Sequence, residues 1–470
     1  MSLADAIDNA FAPLSGAVSD VVFFSVSIFG VRTPLVLVWL VAAAVTFTIS
    51  FRFVNLRGFR HAVAIVSGKV PKTSAGDGEI SHFQALSSAL SGTVGLGNIA
   101  SVPVAVCLGG PGAIFWMVVA GFLGMSSKFA ECALAVKYRT VQPNGAVVGG
   151  PMFYIENVLA RRGLPRLGRI AGVFFAVMTI GASVSLFQVN QSHAQFQNVT
   201  GLDAPLAYGV VISAGVAIVI LGGIRTIGRV TRILVPAMAA IYIVAAMTIL
   251  LAQPTAIAEA LGVIVNSAFG LEAAGGGVVG AIINGVQRAT YSSEAGVGSA
   301  AIAHAAVKTD NPLTEGYVAL LEPFIDTVVV CSVTGLLIVA TGVYEPFLYA
   351  DKADIVGIEL TSAAFAQGLS WFPYVLLASV VLFAFSTLVA WAHYGAQAAA
   401  YLFGATRRVD VVFKLLLCAV LSTGAAVSLG SIIDFTDSML FAMSVPNVVA
   451  LYLLLPELKA DLRAYEKKLK

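Results

Sequence analysis

Two glycine-rich stretches could bind small ions through the peptide backbone. They are SGTVGLGNIASVP (Ser91–Pro103) and SAFGLEAAGGGVVGAIING (Ser267–Gly285), and both lie within apolar segments. Glycine and proline are poor helix formers, so each stretch predicts an interrupted helix. The N–H groups that an interruption frees can bind a carboxylate, and the freed carbonyl groups can bind a cation. The alternative is close helix packing through small residues such as Gly276 and Gly280.

The composition of the chain indicates the surroundings of these stretches. Of 470 residues, 58% are hydrophobic and 11% are charged, and the mean hydropathy is +0.91. Such a chain has too little polar surface for a soluble globule, so we predict a polytopic membrane protein in contact with the lipid bilayer. Its four cysteines lie in apolar stretches without CxxC spacing and are expected to be small buried side chains.

The motifs of several enzyme classes are absent. The sequence contains no GxSxG, no HExxH and no phosphate-binding GxxxxGK[ST]. We therefore expect neither an enzyme nor an ATP-driven pump, and we expect no cofactor and no nucleic-acid partner.

Hydropathy predicts an all-α fold of eleven membrane spans, since a span needs about 20 apolar residues. The predicted spans are Pro34–Phe53, Gln84–Leu108, Ala113–Val136, Gly168–Val189, Leu206–Ile224, Ile233–Leu251, Leu261–Gly285, Val318–Ala340, Phe372–Leu402, Val411–Leu429 and Ile433–Leu455.

Lysine and arginine are concentrated in alternate loops. Counted over the segments 52–72, 128–169, 225–232, 288–308, 407–414 and 459–470, 25 of the 27 basic residues are predicted on one side of the membrane, which leaves Arg32 and Lys352 on the other. Because basic residues stay in cytoplasmic loops, the bias predicts a cytoplasmic C-terminus and an N-terminus outside. The expected location is a plasma membrane, the inner membrane of a bacterium.

The two interrupted spans occupy equivalent places in two halves of the chain. We predict an N-terminal extra helix and loop over 1–83, a first repeat over 84–252, a second repeat over 253–456 and a cytoplasmic tail over 457–470. Five spans per repeat is an odd number, so the repeats have opposite topology. Interrupted helices at matching places in inverted halves indicate the central site of a transporter. A channel is the alternative from another class, and it would need a continuous pore.

Several long motifs resemble one family. They are GNIASVPVAVCLGGPGAIFWMVVAGFLGMSSKFAECALAVKYR (Gly97–Arg139), GGIRTIGRVTRILVPAMAAIY (Gly222–Tyr242), SSEAGVGSAAIAHAA (Ser292–Ala306), FIDT (Phe324–Thr327) and FAFSTLVAWAHYGAQAAAYLFG (Phe383–Gly404). In this order they are similar to the alanine or glycine:cation symporter family. The VGLGN motif also resembles the first broken helix of transporters with the leucine-transporter fold, within the amino acid-polyamine-organocation superfamily.

The resemblance implies a sodium-coupled symporter of small neutral amino acids such as alanine, glycine or D-alanine, working by alternating access. The implied substrate-binding residues are Thr93, Gly95, Leu96, Gly97, Asn98, Gly275, Gly276, Gly277, Val278 and Trp391. The implied sodium ligands are Ser91, Val94, Ser386 and Thr387. From the residues alone, the two last hydroxyls could instead bond back to their own helix, and the tryptophan could be a packing residue.

Further polar residues inside the spans are candidates for coupling or gating. Glu272 is costly at membrane depth and would be the carrier if the transporter were coupled to protons instead of sodium. Gln188 and Asn190 could contact substrate or join helices. We expect Asp326 near the cytoplasmic end of its span. The polar segment that contains SSEAGVGSA is expected to be an amphipathic helix that closes the inner vestibule.

Overall fold

The computed structural model describes residues 13, 15–28, 31–70, 78–141, 147–270, 277–348, 357–368 and 370–469. Most of these residues are helical, which confirms the predicted all-α fold class. The described strands form two antiparallel hairpins, β1 (Ser25–Ile28) with β2 (Val31–Pro34) and β3 (Thr140–Val141) with β4 (Val147–Val148).

The helices of the first half follow a short helical segment at residues 15–22. They are α1 (Leu35–Ser50), α2 (Val54–Arg57), α3 (Phe59–Val66), α4 (His82–Thr93), α5 (Leu96–Ile99), α6 (Ser101–Gly109), α7 (Gly112–Lys137), α8 (Pro151–Arg161), α9 (Pro165–Ser183), α10 (Leu186–Thr200), α11 (Pro205–Ile220) and α12 (Gly223–Ala252).

The helices of the second half include one π-helical segment, Phe324–Cys331, and two short 3-10 turns, Glu345–Phe347 and Gly424–Ala426. The α-helices are α13 (Pro254–Phe269), α14 (Gly277–Ser293), α15 (Ala300–His304), α16 (Pro312–Ala319), α17 (Leu321–Pro323), α18 (Ser332–Thr341), α19 (Ile358–Ala366), α20 (Phe372–Phe403), α21 (Arg407–Leu421) and α22 (Leu429–Leu469).

The lengths and composition of these helices indicate a multi-pass membrane protein. Among the described residues, seven helices are long and apolar enough to cross a membrane, and the bent pair formed by α4 and residues Leu96–Gly109 would make an eighth span. Helices α1, α11 and α13 are apolar but shorter. The number of eleven spans and the boundaries of the two repeats remain predictions.

The first interruption lies where the glycines predict it. Helix α4 ends at Thr93, Gly95 is extended with φ −146° and ψ −151°, and the helix that follows is bent by 52°. A Cβ atom on Gly95 would clash with the Thr387 hydroxyl. Glycine is therefore required here by the close approach of α20.

The second interruption differs from the prediction. The predicted span Leu261–Gly285 is divided between α13 and α14, and Gly275 and Gly276 lie outside the described residues. Helix α14 then continues unbroken to Ser293. Glu294, Gly296 and Gly298 all have positive φ, between 54° and 93°. Because this backbone conformation ends a helix and favours glycine, SSEAGVGSA is a helix break rather than the expected amphipathic helix.

Helices α7 and α14 pack closely through a glycine. A Cβ atom on Gly285 would lie 2.5 Å from the Ala113 carbonyl oxygen and 2.8 Å from Trp116 Cβ. This contact holds the middle of α14, which precedes the second break, against a long helix of the first half.

We expect Gly285→Ala to lower the thermal unfolding midpoint of the purified protein, because overpacking of this contact costs about 1–3 kcal/mol. Gly262→Ala in α13 is the matched control, since a Cβ atom there meets no atom within 4 Å. An unchanged midpoint in Gly285→Ala would contradict the close contact between α7 and α14.

Candidate functional site

A small cavity lies between the two interruptions. Its space for a water-sized molecule is about 20 Å³, enough for about one water, so the cavity is nearly closed in this conformation. Both breaks contribute to its walls. The lining residues are Gly92, Thr93, Gly97, Ala182, Ser185, Gln188, Tyr291, Glu294, Trp391, Thr436 and Leu440. The structure thus brings together four of the predicted site residues, Thr93, Gly97, Gln188 and Trp391.

Backbone N–H groups of the first break donate hydrogen bonds to side-chain oxygen atoms. The Gly95 N–H donates to Asn98 Oδ1 over 2.8 Å, and the Leu96 N–H donates to Gln188 Oε1 over 3.2 Å. Residues 95 to 98 therefore present the donors that the sequence predicts for a carboxylate. Both donors are occupied here, the Gly95 N–H by Asn98 and the Leu96 N–H by Gln188 from the wall of the cavity.

Asp326 joins the two interrupted helices, which the sequence did not predict. Its carboxylate accepts a hydrogen bond from Asn98 Nδ2 over 2.6 Å and one from Ser292 Oγ over 2.9 Å. Asp326 lies in the π-helical segment, a type of helical distortion that is frequent at functional sites. It is fully buried and lies at the middle of the helical span Pro312–Thr341, so its expected place near an end of its span is wrong.

Glu294 places a carboxylate in the wall of the cavity. Trp391 Nε1 donates to Glu294 Oε1 over 3.1 Å, and the Ser299 hydroxyl donates to the other oxygen. Trp391 therefore lines the cavity and also holds the acid of the second break in place. The available signal for Glu294 was its position between serine and glycine in SSEAGVGSA.

The hydroxyl groups predicted to bind sodium lie against the first break. Ser91 Oγ donates to the Ser386 carbonyl oxygen over 2.6 Å, while Ser386 Oγ bonds back to Phe383 O over 3.0 Å. Thr387 Oγ1 is buried without a hydrogen-bond partner. The last carbonyl groups of α4 have no following helical N–H, and Val94 comes directly after that helix. An unpaired hydroxyl beside such carbonyl groups fits the oxygen ligands that sodium requires.

Other predicted site residues lie elsewhere. Gly277 and Val278 are at the start of α14, about 22 Å along the helix from Ser292 at 1.5 Å per residue, and so are not in the cavity wall. Asn190 Nδ2 donates to Val427 O over 2.8 Å and joins two helices. Glu272, like Gly275 and Gly276, falls outside the described residues.

A buried ion pair lies next to the cavity. Arg288, one turn before Tyr291 on α14, bonds to Asp437, which follows Thr436 on α22. Both side chains are buried, and Gln287 Nε2 also donates to Asp437 over 3.1 Å. The pair joins α14 to α22 on the side of the break that precedes Glu294.

Comparison with known proteins identifies the family. The sequence profile described as "Sodium:alanine symporter family" matches residues 19–470. The chain belongs to the sodium:alanine symporter family. Membership of a symporter family indicates a transport protein rather than an enzyme, as the sequence predicts.

Two curated relatives of this sodium:alanine symporter family member illustrate the similarity. The sodium/alanine symporter AgcS of Methanococcus maripaludis is 38% identical over 435 residues, which cover 92% of this chain and 94% of the relative. The amino-acid carrier protein AlsT of Bacillus subtilis is 30% identical over 420 residues, covering 88% of this chain and 86% of the relative.

A solved structure shows the fold of this symporter family member. The crystal structure of MhsT in complex with L-phenylalanine covers 80% of this chain and 89% of its own, with a TM-score of 0.55 and 14% identity. The chain therefore has the leucine-transporter fold that the VGLGN motif suggests.

We expect Asp326→Ala to destabilise the protein more than Asp326→Asn. Alanine removes the carboxylate acceptor of the buried Ser292 and Thr327 hydroxyls, at about 1–3 kcal/mol for each, and leaves Asn98 Nδ2 with the Asp326 backbone carbonyl only, whereas asparagine keeps one side-chain acceptor oxygen. Thermal unfolding of the two purified variants measures the difference. Equal midpoints would show that Asp326 does not satisfy these donors.

Proposed function

We propose that this protein carries alanine or glycine across the membrane together with sodium, by alternating access. The observation that carries the proposal is the cavity whose walls come from both interrupted helices. Unwound backbone is tolerated at membrane depth only where it lines a cavity or is buried in protein. The names of the relatives agree with this substrate class.

A zwitterion suits the polar groups of the cavity. The substrate carboxylate would accept from the N–H groups around Gly95 to Asn98, taking the place of the Gln188 oxygen at Leu96. The ammonium group would face Glu294, a carboxylate in the opposite wall. The cavity now holds little more than one water, so Tyr291, Trp391 and Leu440 would have to move apart on binding, and a small side chain would require the smallest movement.

Sodium would bind between α4 and α20. Its ligands would be the Thr387 and Ser386 oxygens together with carbonyl groups near Ser91 and Val94. The buried, unpaired Thr387 hydroxyl supports this assignment, because an orphaned polar atom is costly unless a ligand satisfies it. Sodium at this place would also neutralise the carbonyl ends of the interrupted helix.

We further propose that the N-terminus lies outside and the C-terminus in the cytoplasm of a bacterial inner membrane. The distribution of lysine and arginine supports this orientation. Helix α14 extends through Arg288, so Arg288 and Asp437 would then lie on the outer side of the cavity and α15 on the cytoplasmic side. The cytoplasmic place that the basic-residue count gave Arg288 would be wrong in this orientation.

Uptake by purified protein in liposomes tests the function. We expect accumulation of alanine or glycine with an inward sodium gradient, no accumulation without it, and no uptake of phenylalanine. Exchange of labelled for unlabelled substrate against a gradient would exclude a channel. The proposal is wrong if no small neutral amino acid is bound or transported.

We expect Thr387→Val to weaken the apparent sodium affinity about 5- to 150-fold, corresponding to ~1–3 kcal/mol for a lost ligand oxygen. Substrate affinity at fixed sodium should fall with it, since binding of the two is coupled reciprocally. Sodium-dependent substrate binding measures both effects.

Thr179→Val is the matched control, because its buried hydroxyl bonds within its own helix to Phe175 O. If Thr387→Val keeps its sodium dependence and Glu272→Gln instead removes a pH-dependent response, coupling to protons through Glu272 becomes the better assignment.

A further inference from the structure

A chain of charged side chains is buried on the far side of the second break. His304, in α15, contacts Glu315 Oε1 through Nδ1 over 2.5 Å and Glu322 through Nε2. Glu322 also pairs with Lys128 Nζ over 3.3 Å, and Glu315 Oε2 contacts His82 Nδ1 over 2.5 Å. All of these side chains except His82 are fully buried, and His82 is 26% exposed. We call these five residues the inner cluster.

The geometry of His304 requires a proton beyond those of a neutral imidazole. A neutral ring has one N–H and one nitrogen lone pair. Here both nitrogens face carboxylate oxygens, so one contact would set a lone pair against an anion. An added proton on the Glu315–His304–Glu322 triple turns both contacts into hydrogen bonds.

The same proton balances the buried charge. Among the four fully buried members, Lys128 and a protonated His304 supply two cations, which match the two carboxylates of Glu315 and Glu322. Without the proton one negative charge is left unbalanced at a fully buried place, which is strongly unfavourable.

The neighbouring titratable groups that face the inner cluster do not supply the balancing positive charge. Helix α7 contributes Glu131 and Cys132, and the second break contributes Glu294. The π-helical segment contributes Asp326, and α20 contributes Tyr394. None is a cation, and further carboxylates only increase the need for a proton. A metal ion is disfavoured, because both ring nitrogens of His304 already contact carboxylates and Lys128 lies beside Glu322.

We propose that the inner cluster is a proton-binding site whose occupancy holds the side of the transporter beyond the second break closed. The cluster fastens α15, which directly follows the break, to α4, α7 and the segment Pro312–Pro323. His82, at the first residue of α4, connects the site to solvent. When the proton is lost, a lone pair of His304 faces a carboxylate oxygen, and the repulsion weakens the attachment of α15. This side of the transporter therefore opens more readily as pH rises.

Cys132 is a natural reporter of this opening. Its sulfur lies within 4.8 Å of the ligand atoms of His304 and Glu322, and the residue is fully buried. N-ethylmaleimide can reach it only when the cluster separates. The rate of labelling is measured on the Cys132 peptide of the detergent-solubilised protein. It is divided by the labelling rate of glutathione at the same pH, which corrects for the pH dependence of thiol reactivity.

We expect this normalised rate to rise with pH between about pH 6 and pH 9, by up to about tenfold per pH unit where one proton is lost. Glu315→Gln should keep the rate low and independent of pH. Its amide can donate to His304 Nδ1, His304 can donate to Glu322, and the charges balance without an added proton.

Two further variants locate the titrating group. His82→Gln keeps a donor to Glu315 and should retain the pH response. His61→Gln, a histidine outside the cluster that bonds to Tyr465, should retain it as well. The proposal is overturned if the wild-type rate does not depend on pH. It is also overturned if Glu315→Gln keeps the pH response, or if His82→Gln loses the pH response. The assay uses no substrate, so its failure is distinct from a failure of the proposed transport function.

Discussion

Unwound backbone inside a membrane must have its polar groups satisfied by other parts of the protein, and the rest of this structure depends on that constraint. At the first break, Asn98 and Gln188 accept from the Gly95 and Leu96 N–H groups. At the second break, Asn447 Nδ2 donates to the Gly296 carbonyl oxygen over 2.9 Å. Side chains from the break itself, such as Asn98, and from distant helices, such as Gln188 and Asn447, thus replace the missing helical hydrogen bonds.

These side chains also connect the two breaks to each other. Asn98 bonds to Asp326, and Asp326 bonds to Ser292, so a displacement of one interrupted helix is transmitted to the other through a single buried carboxylate. Asn447 likewise bonds to Glu131 of α7 over 2.8 Å. The polar groups that permit the breaks are therefore the ones that couple the cavity to the surrounding helices.

The sequence predicts the first break well because its glycines are needed at the break itself, as the approach of Thr387 to Gly95 shows. It misplaces the second break because a run of glycines, Gly275 to Gly277, gives a stronger local signal than SSEAGVGSA. What makes Glu294 to Gly298 a break is positive φ together with Asn447, Trp391 and other partners far away in sequence. Long-range contacts of this kind have no local pattern, and Asp326 was misplaced for the same reason.

The cavity is flanked by two buried charged groups that differ in their chemistry. Arg288, on α14, precedes Glu294, and Asp437 packs against it from α22. An arginine is always protonated in proteins. The inner cluster follows Glu294, and its charge balance depends on an exchangeable proton on His304 or its two carboxylates. Separating either group requires hydrating buried charges, which favours closure of both sides. Because one group contains an arginine and the other a histidine between two carboxylates, the two sides of the cavity differ in the chemistry that would release them.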